Sequence, residues 1–145
     1  MTDDLHFNRY PISNLWRGDC MQIGFDPEMN FVRNENGLDA DDSFLTCGLL
    51  SGEAALSVHH GPHRFELQKQ TEYRIIRDEA GKRTLYLLKF PLAAIDGNLK
   101  TGSIFGFNCV FMDDDTNSGS DYWLFLRQGL AGGLRPDKFA PCILE

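Results

Sequence analysis

Residues 104–112 alternate in a way that only a covered sheet accommodates. Phe105, Phe107, Cys109 and Phe111 fall on one face of an extended chain, with Ile104, Gly106, Asn108, Val110 and Met112 on the other. Apolar side chains on both faces need cover from two sides, so this strand reads as the centre of a layered β structure. The remaining sequence supplies short partners. Residues 20–26 alternate, with Met21, Ile23 and Phe25 opposed to Gln22 and Gly24, and Asp26-Pro27 stops them. Residues 44–50 and 54–59 are apolar runs split by Ser51-Gly52. Residues 72–77 and 83–90 flank Glu79-Ala80-Gly81-Lys82, giving a second hairpin signal. Residues 122–127 and 141–144 complete the set. A polar loop is expected over residues 30–42, and residues 91–95 hold one helical turn at most. No ten-residue segment carries a 3.6-residue period. Seven to eight short strands predict an all-β, antiparallel β-sandwich over a single domain, residues 1–145.

Charge narrows the partners. The chain has a net charge of −7, and residues 1–60 hold 10 acids against 3 bases. The rest is neutral, without the clustered Lys and Arg that hold a phosphate backbone, so nucleic acid is disfavoured. No stretch approaches the ~18 apolar residues of a membrane helix, so no membrane partner is expected. Met1-Thr2-Asp3-Asp4 lacks the basic and apolar regions of a signal peptide. Cys20, Cys47, Cys109 and Cys142 lie far apart with no C-x-x-C pair. Three of them sit in apolar runs, where free thiols are expected.

Several constellations could carry chemistry. In Asp113-Asp114-Asp115-Thr116-Asn117-Ser118-Gly119-Ser120-Asp121, Asp113, Asp115 and Asn117 alternate like the oxygens of a calcium loop. The glycine and glutamate of an EF-hand are out of place, which leaves a Ca2+ site of another type or a solvated turn. Asp39, Asp41 and Asp42 form a second acidic loop with a weaker claim. His59-His60-x-x-His63 is interrupted by Gly61-Pro62, and three turn histidines read as surface residues rather than metal ligands. No nucleophile elbow, phosphate loop or H-E-x-x-H motif is present, so an enzyme is not expected. Trp16-Arg17-Gly18-Asp19 reads as a loop at the mouth of the first strand. There an exposed Trp could stack on the apolar face of a sugar while polar neighbours meet its hydroxyls. Trp123, between Tyr122 and Leu124, is expected to pack the core.

Four blocks in order carry a family resemblance. Leu15-Trp16-Arg17-Gly18-Asp19-Cys20-Met21-Gln22-Ile23-Gly24-Phe25-Asp26 resembles the "W-x-x-D-x-V-E-I-x-x-D" stretch of family 9 carbohydrate-binding modules, a DOMON-like group. Thr84-Leu85-Tyr86-Leu87-Leu88-Lys89-Phe90-Pro91 resembles that family's "Y-E-x-x-I-P" strand. Residues 104–115 are similar to its "I-G-F-x-V-x-x-N-D-x-D" strand and acidic turn, and Arg135-Pro136-Asp137-Lys138-Phe139 to its "D-P-S-x-F-G" turn. The resemblance implies a jelly-roll-like sandwich that binds glycans, commonly at chain ends, as an accessory module of a secreted or periplasmic glycoside hydrolase or polysaccharide-processing protein.

It also implies a site: Trp16 as the stacking platform, with Arg17, Asp19 and Gln22 as polar neighbours. Gln22 stands where the family has Glu. The second tryptophan of the family falls near Gly132 and Gly133, the binding arginine near Leu45 and Thr46, and neither residue type is there. A degenerate structural or interaction module is the alternative. A b-type haem domain using Met21, Met112 and Lys89 is a third reading. The family has strands before the segment that resembles Thr2-Asp3-Asp4-Leu5-His6-Phe7, so the domain is expected to be incomplete at its N-terminus. It would then pair with itself or form part of a longer chain.

Overall fold

The computed structural model describes residues 5–30 and 37–145. Thr2, Asp3 and Asp4 of the resembling N-terminal segment, and positions 31–36 of the expected polar loop, lie outside the described residues. The strands are β1 (Cys20–Asp26), β2 (Ser43–Leu50), β3 (Glu53–His60), β4 (Glu72–Asp78), β5 (Arg83–Lys89), β6 (Ile104–Asp113), β7 (Tyr122–Phe125) and β8 (Ala140–Ile143). Two short helices, α1 (Arg64–Gln70) and α2 (Leu92–Ile95), flank the second hairpin. One sheet runs β3-β2-β1-β6-β7, with β8 also on β6, and β4 and β5 form a two-stranded second layer. All pairings are antiparallel. The chain is the antiparallel β-sandwich that its strand pattern predicts.

Register explains the two faces. Met21, Ile23 and Phe25 of β1 align with Cys47, Leu45 and Ser43 of β2 and with Phe111, Cys109 and Phe107 of β6. This face meets Ile75 of β4, Tyr86 and Leu88 of β5, Leu67 of α1 and Ile95 of α2 in the main core. Phe25 packs edge-on against Phe90 at 5.1 Å between ring centroids. Each such side chain taken out of water stabilises the fold by about 1.5–3 kcal/mol.

The other face builds the site. Cys20, Val110 and Met112 point there and pack with Leu15, Leu130 and Phe139 in a second, smaller core. Gly24 is needed for that packing, because a Cβ would stand 2.5 Å from the Phe139 ring. β6 pairs with β1 along one edge, while β7 and β8 divide the other, meeting residues 110–113 and 104–107. Asn108, fully buried, faces the gap between them. Its amide donates to Arg127 O at 2.9 Å and Gln128 O at 3.1 Å, and its Oδ1 accepts from Arg127 N at 3.0 Å. That clamp fixes the segment after β7, which becomes a wall of the cleft.

Two local expectations change. Of the loop expected at Trp16-Arg17-Gly18-Asp19, the first two residues instead end a 3-10 turn (Ile12–Arg17) anchored by the fully buried Leu15. Leu15 O accepts from Asn8 Nδ2 at 2.8 Å. Helix α1 buries Leu67 alone, so a single apolar contact gave no period to read. Of the three histidines, His59 and His60 belong to β3 and are half-buried, and His63 caps α1. All four cysteines are free thiols. Burial pushes the Cys47 thiol up to about 12.

Candidate functional site: an aromatic cleft on the open face of the sheet

Leu15 plugs the second core, so the next residue of the 3-10 turn, Trp16, is directed outward and is 45% exposed. Trp123 lies opposite Met112 in the β6–β7 register and therefore shares its face of the sheet. Its indole Nε1 donates to Ser120 Oγ at 2.8 Å, and its ring meets Phe125 edge-on at 6.1 Å. It is 46% exposed. Both tryptophans line one cavity of about 310 Å3. Gln22 of β1, Phe44 of β2, His59 of β3 and Met112 of β6 line it as well, and the segment from Leu130 to Leu134 forms its far wall.

Trp123 thus does not pack the core as expected. On an edge strand, half of its ring has nothing to bury against, and the cleft keeps it open. Its Cζ3 lies 3.7 Å from where a Gly132 Cβ would stand. An aromatic ring therefore occupies the place beside Gly132 where the sequence has no aromatic residue. The signal was hidden because the ring arrives from a neighbouring strand rather than from the same stretch of chain.

The other sequence candidates separate. Gln22 is 6% exposed, and its Oε1 has no hydrogen-bond partner among the described residues. Arg17 borders a continuation of the cleft with Ser118, Ser120 and Asp121, its guanidinium 5.0 Å from the Tyr10 ring. Asp19 does not line the cleft. It is 1% exposed, accepts from Phe7 N and from Asp114 N, the latter at 2.6 Å, and lies 3.3 Å from His6 Nδ1. It ties the N-terminal segment to the loop after β6.

Among the described residues, the cavity lining contains no Lys, Arg, Asp or Glu. Among the described lining residues His59 is the one titratable side chain, and burial holds its imidazole below the ordinary range. A cleft of this kind suits a neutral ligand with a flat apolar face.

Two acidic loops have metal-ligand chemistry. Asp113, Asp114, Asp115 and Asn117 each keep a side-chain oxygen shielded from solvent. Among the described residues, the three carboxylates that converge are instead Asp26, Asp41 and Asp42, with oxygens within 4.8 Å of one another. Hard oxygen donors of this type suit Ca2+. Burial first, and then the carboxylates of Asp26, Asp39 and Asp41, push Asp42 up to about 7, against a bond from Asp39 N that opposes the shift. Burial and Asp39 push Asp41 up to about 6.

A carboxyl raised on folding binds extra protons in the native state, so stability falls as pH rises through the window from about 4 to 7. Metal-free protein is expected to melt at progressively lower temperature across that range. Asp42→Asn should flatten the slope and be more stable than wild type at pH 7.5, by at most about 4 kcal/mol. Thermal melts in chelator at several pH values decide this, and an unchanged slope in Asp42→Asn would contradict it.

The haem candidates do not come together. Met21 and Met112 point to opposite faces of the sheet, and Lys89 is exposed and paired with Glu72 at 2.9 Å.

No protein-family model matches the sequence, and no curated protein does. A solved structure does match: a carbohydrate binding module of family 9 from Caldicellulosiruptor kristjanssonii in complex with cellotriose. The likeness covers 99% of this chain and 65% of that one, with a TM-score of 0.68 at 16% identity. The fold is that of a family 9 carbohydrate-binding module. This chain spans about two thirds of the length of that structure.

Proposed function

We propose that the cleft binds a carbohydrate and that the domain is a non-catalytic binding module. The observation that carries this reading is the pair Trp16 and Trp123, both half-exposed on one cavity that Gln22 also lines, its Oε1 buried without a hydrogen-bond partner among the described residues. Sugar rings offer apolar C–H faces to indoles and hydroxyl donors to a buried acceptor. The likeness to a module solved with cellotriose supports the same class of ligand. A glycosidase sets two carboxylates across the scissile bond, whereas the described residues of the cavity lining include no carboxylate. Arg17 extends the site as a polar neighbour at its open end. The physiological setting we infer is an accessory module of a glycoside hydrolase or another polysaccharide-processing protein.

Calorimetric titration with a panel of neutral oligosaccharides, cellotriose among them, tests the reading. Heat that saturates at a one-to-one ratio is expected. Silence across the panel, with a cooperative melt proving the fold, would favour the degenerate structural module.

We also infer a structural Ca2+. Millimolar calcium at pH 7.5 is expected to raise the melting temperature, and chelator to reverse it. Asp42→Asn should abolish the gain if the ion sits at Asp26, Asp41 and Asp42. Loss of the gain on replacing Asp113 and Asp115 would put it in the loop with Asn117.

Assembly follows from the thin second layer. Leu85 and Leu87 of β5 and Tyr122 and Leu124 of β7 are exposed on strands that pair along one edge only among the described residues. Exposed apolar edges favour pairing between chains. We infer self-association, most simply two-fold, which sedimentation at micromolar concentration should register as a dimer. A compact monomer there would contradict it.

A further inference from the structure

The floor of the cleft contains a residue that neither tryptophan explains. In the pairing of β2 with β3, Leu45 opposes Val58 and Phe44 opposes His60, so His59 is an extra residue in the ladder. Such bulges redirect side chains, often beside functional sites. His59 itself follows Ser57 in the alternation of β3, and so shares with Thr46 the cleft face, with Val58 turned to the main core. Its Nε2 lies 3.0 Å from Thr46 Oγ1, and its ring is 5.3 Å from that of Phe44. Thr46 in turn opposes Gln22 across the β1–β2 pair. Gln22, Thr46 and His59 therefore form a polar row over three adjacent strands, roughly 10 Å long.

We propose that His59 is the specificity-determining residue of the cleft, setting with Gln22 a preference for an uncharged, hydroxyl-bearing sugar over one that presents a carboxylate. This rests on the reading that the cleft binds sugar. Thr46 is fully buried, so it is a positioning residue: its hydroxyl orients the imidazole and leaves Nδ1 as the nitrogen for a ligand. A sugar hydroxyl both donates and accepts, so it can satisfy Gln22 Oε1 and a neutral imidazole together. A carboxylate only accepts. It cannot donate to Gln22 Oε1 or to the imidazole, and around these two groups the described cavity lining has no Lys or Arg to balance its charge, Arg17 standing apart at the open end. Burial holds His59 below its ordinary range, so the imidazole supplies no counter-charge at neutral pH either.

The test compares cellotriose with a β-1,4-linked trisaccharide ending in glucuronate, titrated calorimetrically into wild type and variants whose folding is checked by thermal melts. Wild type should prefer cellotriose by at least about tenfold, and His59→Ala should lose about tenfold in cellotriose affinity. His59→Asn, which keeps a polar group, should retain part of that affinity. Thr46→Val should weaken cellotriose binding and narrow the preference, a change that a merely structural role would not produce. His59→Arg should shift the preference toward the glucuronate ligand, because it places a cation beside Gln22. Cellotriose binding that Trp16→Ala abolishes and every His59 variant leaves intact would overturn this inference and spare the sugar reading. Equal affinity of wild type for the two ligands would do the same. If wild type binds neither, both fall.

Discussion

Alanine at Trp16 or at Trp123 is expected to weaken oligosaccharide binding by roughly 10- to 100-fold, about 1.4–2.8 kcal/mol, while the melting temperature stays nearly unchanged. The size follows from the area that a ring stacked on a sugar removes from water, at about 25 cal/mol per Å2. The small effect on stability follows from geometry. Each ring is about half exposed, and the contacts that hold the fold belong to neighbours: Leu15 in the second core beside Trp16, and the β6–β7 ladder beneath Trp123. Phenylalanine at either position should restore part of the affinity because it keeps a flat apolar face. Binding that survives in both alanine variants would mean that sugar, if bound, sits elsewhere.

Asp19→Ala should do the reverse. Its carboxylate sits almost out of solvent and accepts from Phe7 N and Asp114 N beside His6. Removing it leaves the buried Asp114 N–H and the half-buried Phe7 N–H without that acceptor, at about 1–3 kcal/mol for a buried group. A loss of about 3 kcal/mol or more is expected, a fall in melting temperature on the order of 10 °C for a domain of this size. Asp19→Asn should recover little, since an amide turns a donor toward one of those N–H groups. Calorimetric melting of the two variants beside Trp16→Ala separates the roles. If Asp19→Ala melts like wild type and loses only ligand affinity, Asp19 belongs to the site after all.

The strands were legible because their signals are local. Alternation over residues 20–26 and 104–112, and the turns at Ser51-Gly52 and Glu79–Lys82, set both hairpins and the central pair to within two residues of the observed bounds. Half of the site was legible for the same reason: Trp16 and Gln22 lie in one recognisable block and meet at one cavity. What escaped is non-local. Trp123 reaches the cleft because β7 takes only half of the β6 edge, an arrangement no residue of β7 announces. His59 reaches the cleft because β3 lies beside β2 in a register that sets Ser57, and with it His59, on the face of Thr46. Asp19 stands beside Trp16 in sequence, yet the turn directs one side chain outward and the other inward. Asp26 joins Asp41 and Asp42 because β1 and β2 are neighbours.

The chain has two tryptophans, and both line the proposed site, so intrinsic fluorescence during titration with cello-oligosaccharides reads the cleft directly. The account predicts a saturable change in intensity and emission wavelength, with each single Trp→Phe variant retaining the part that belongs to the remaining indole. A flat titration with every neutral oligosaccharide, on protein that melts cooperatively, would contradict it.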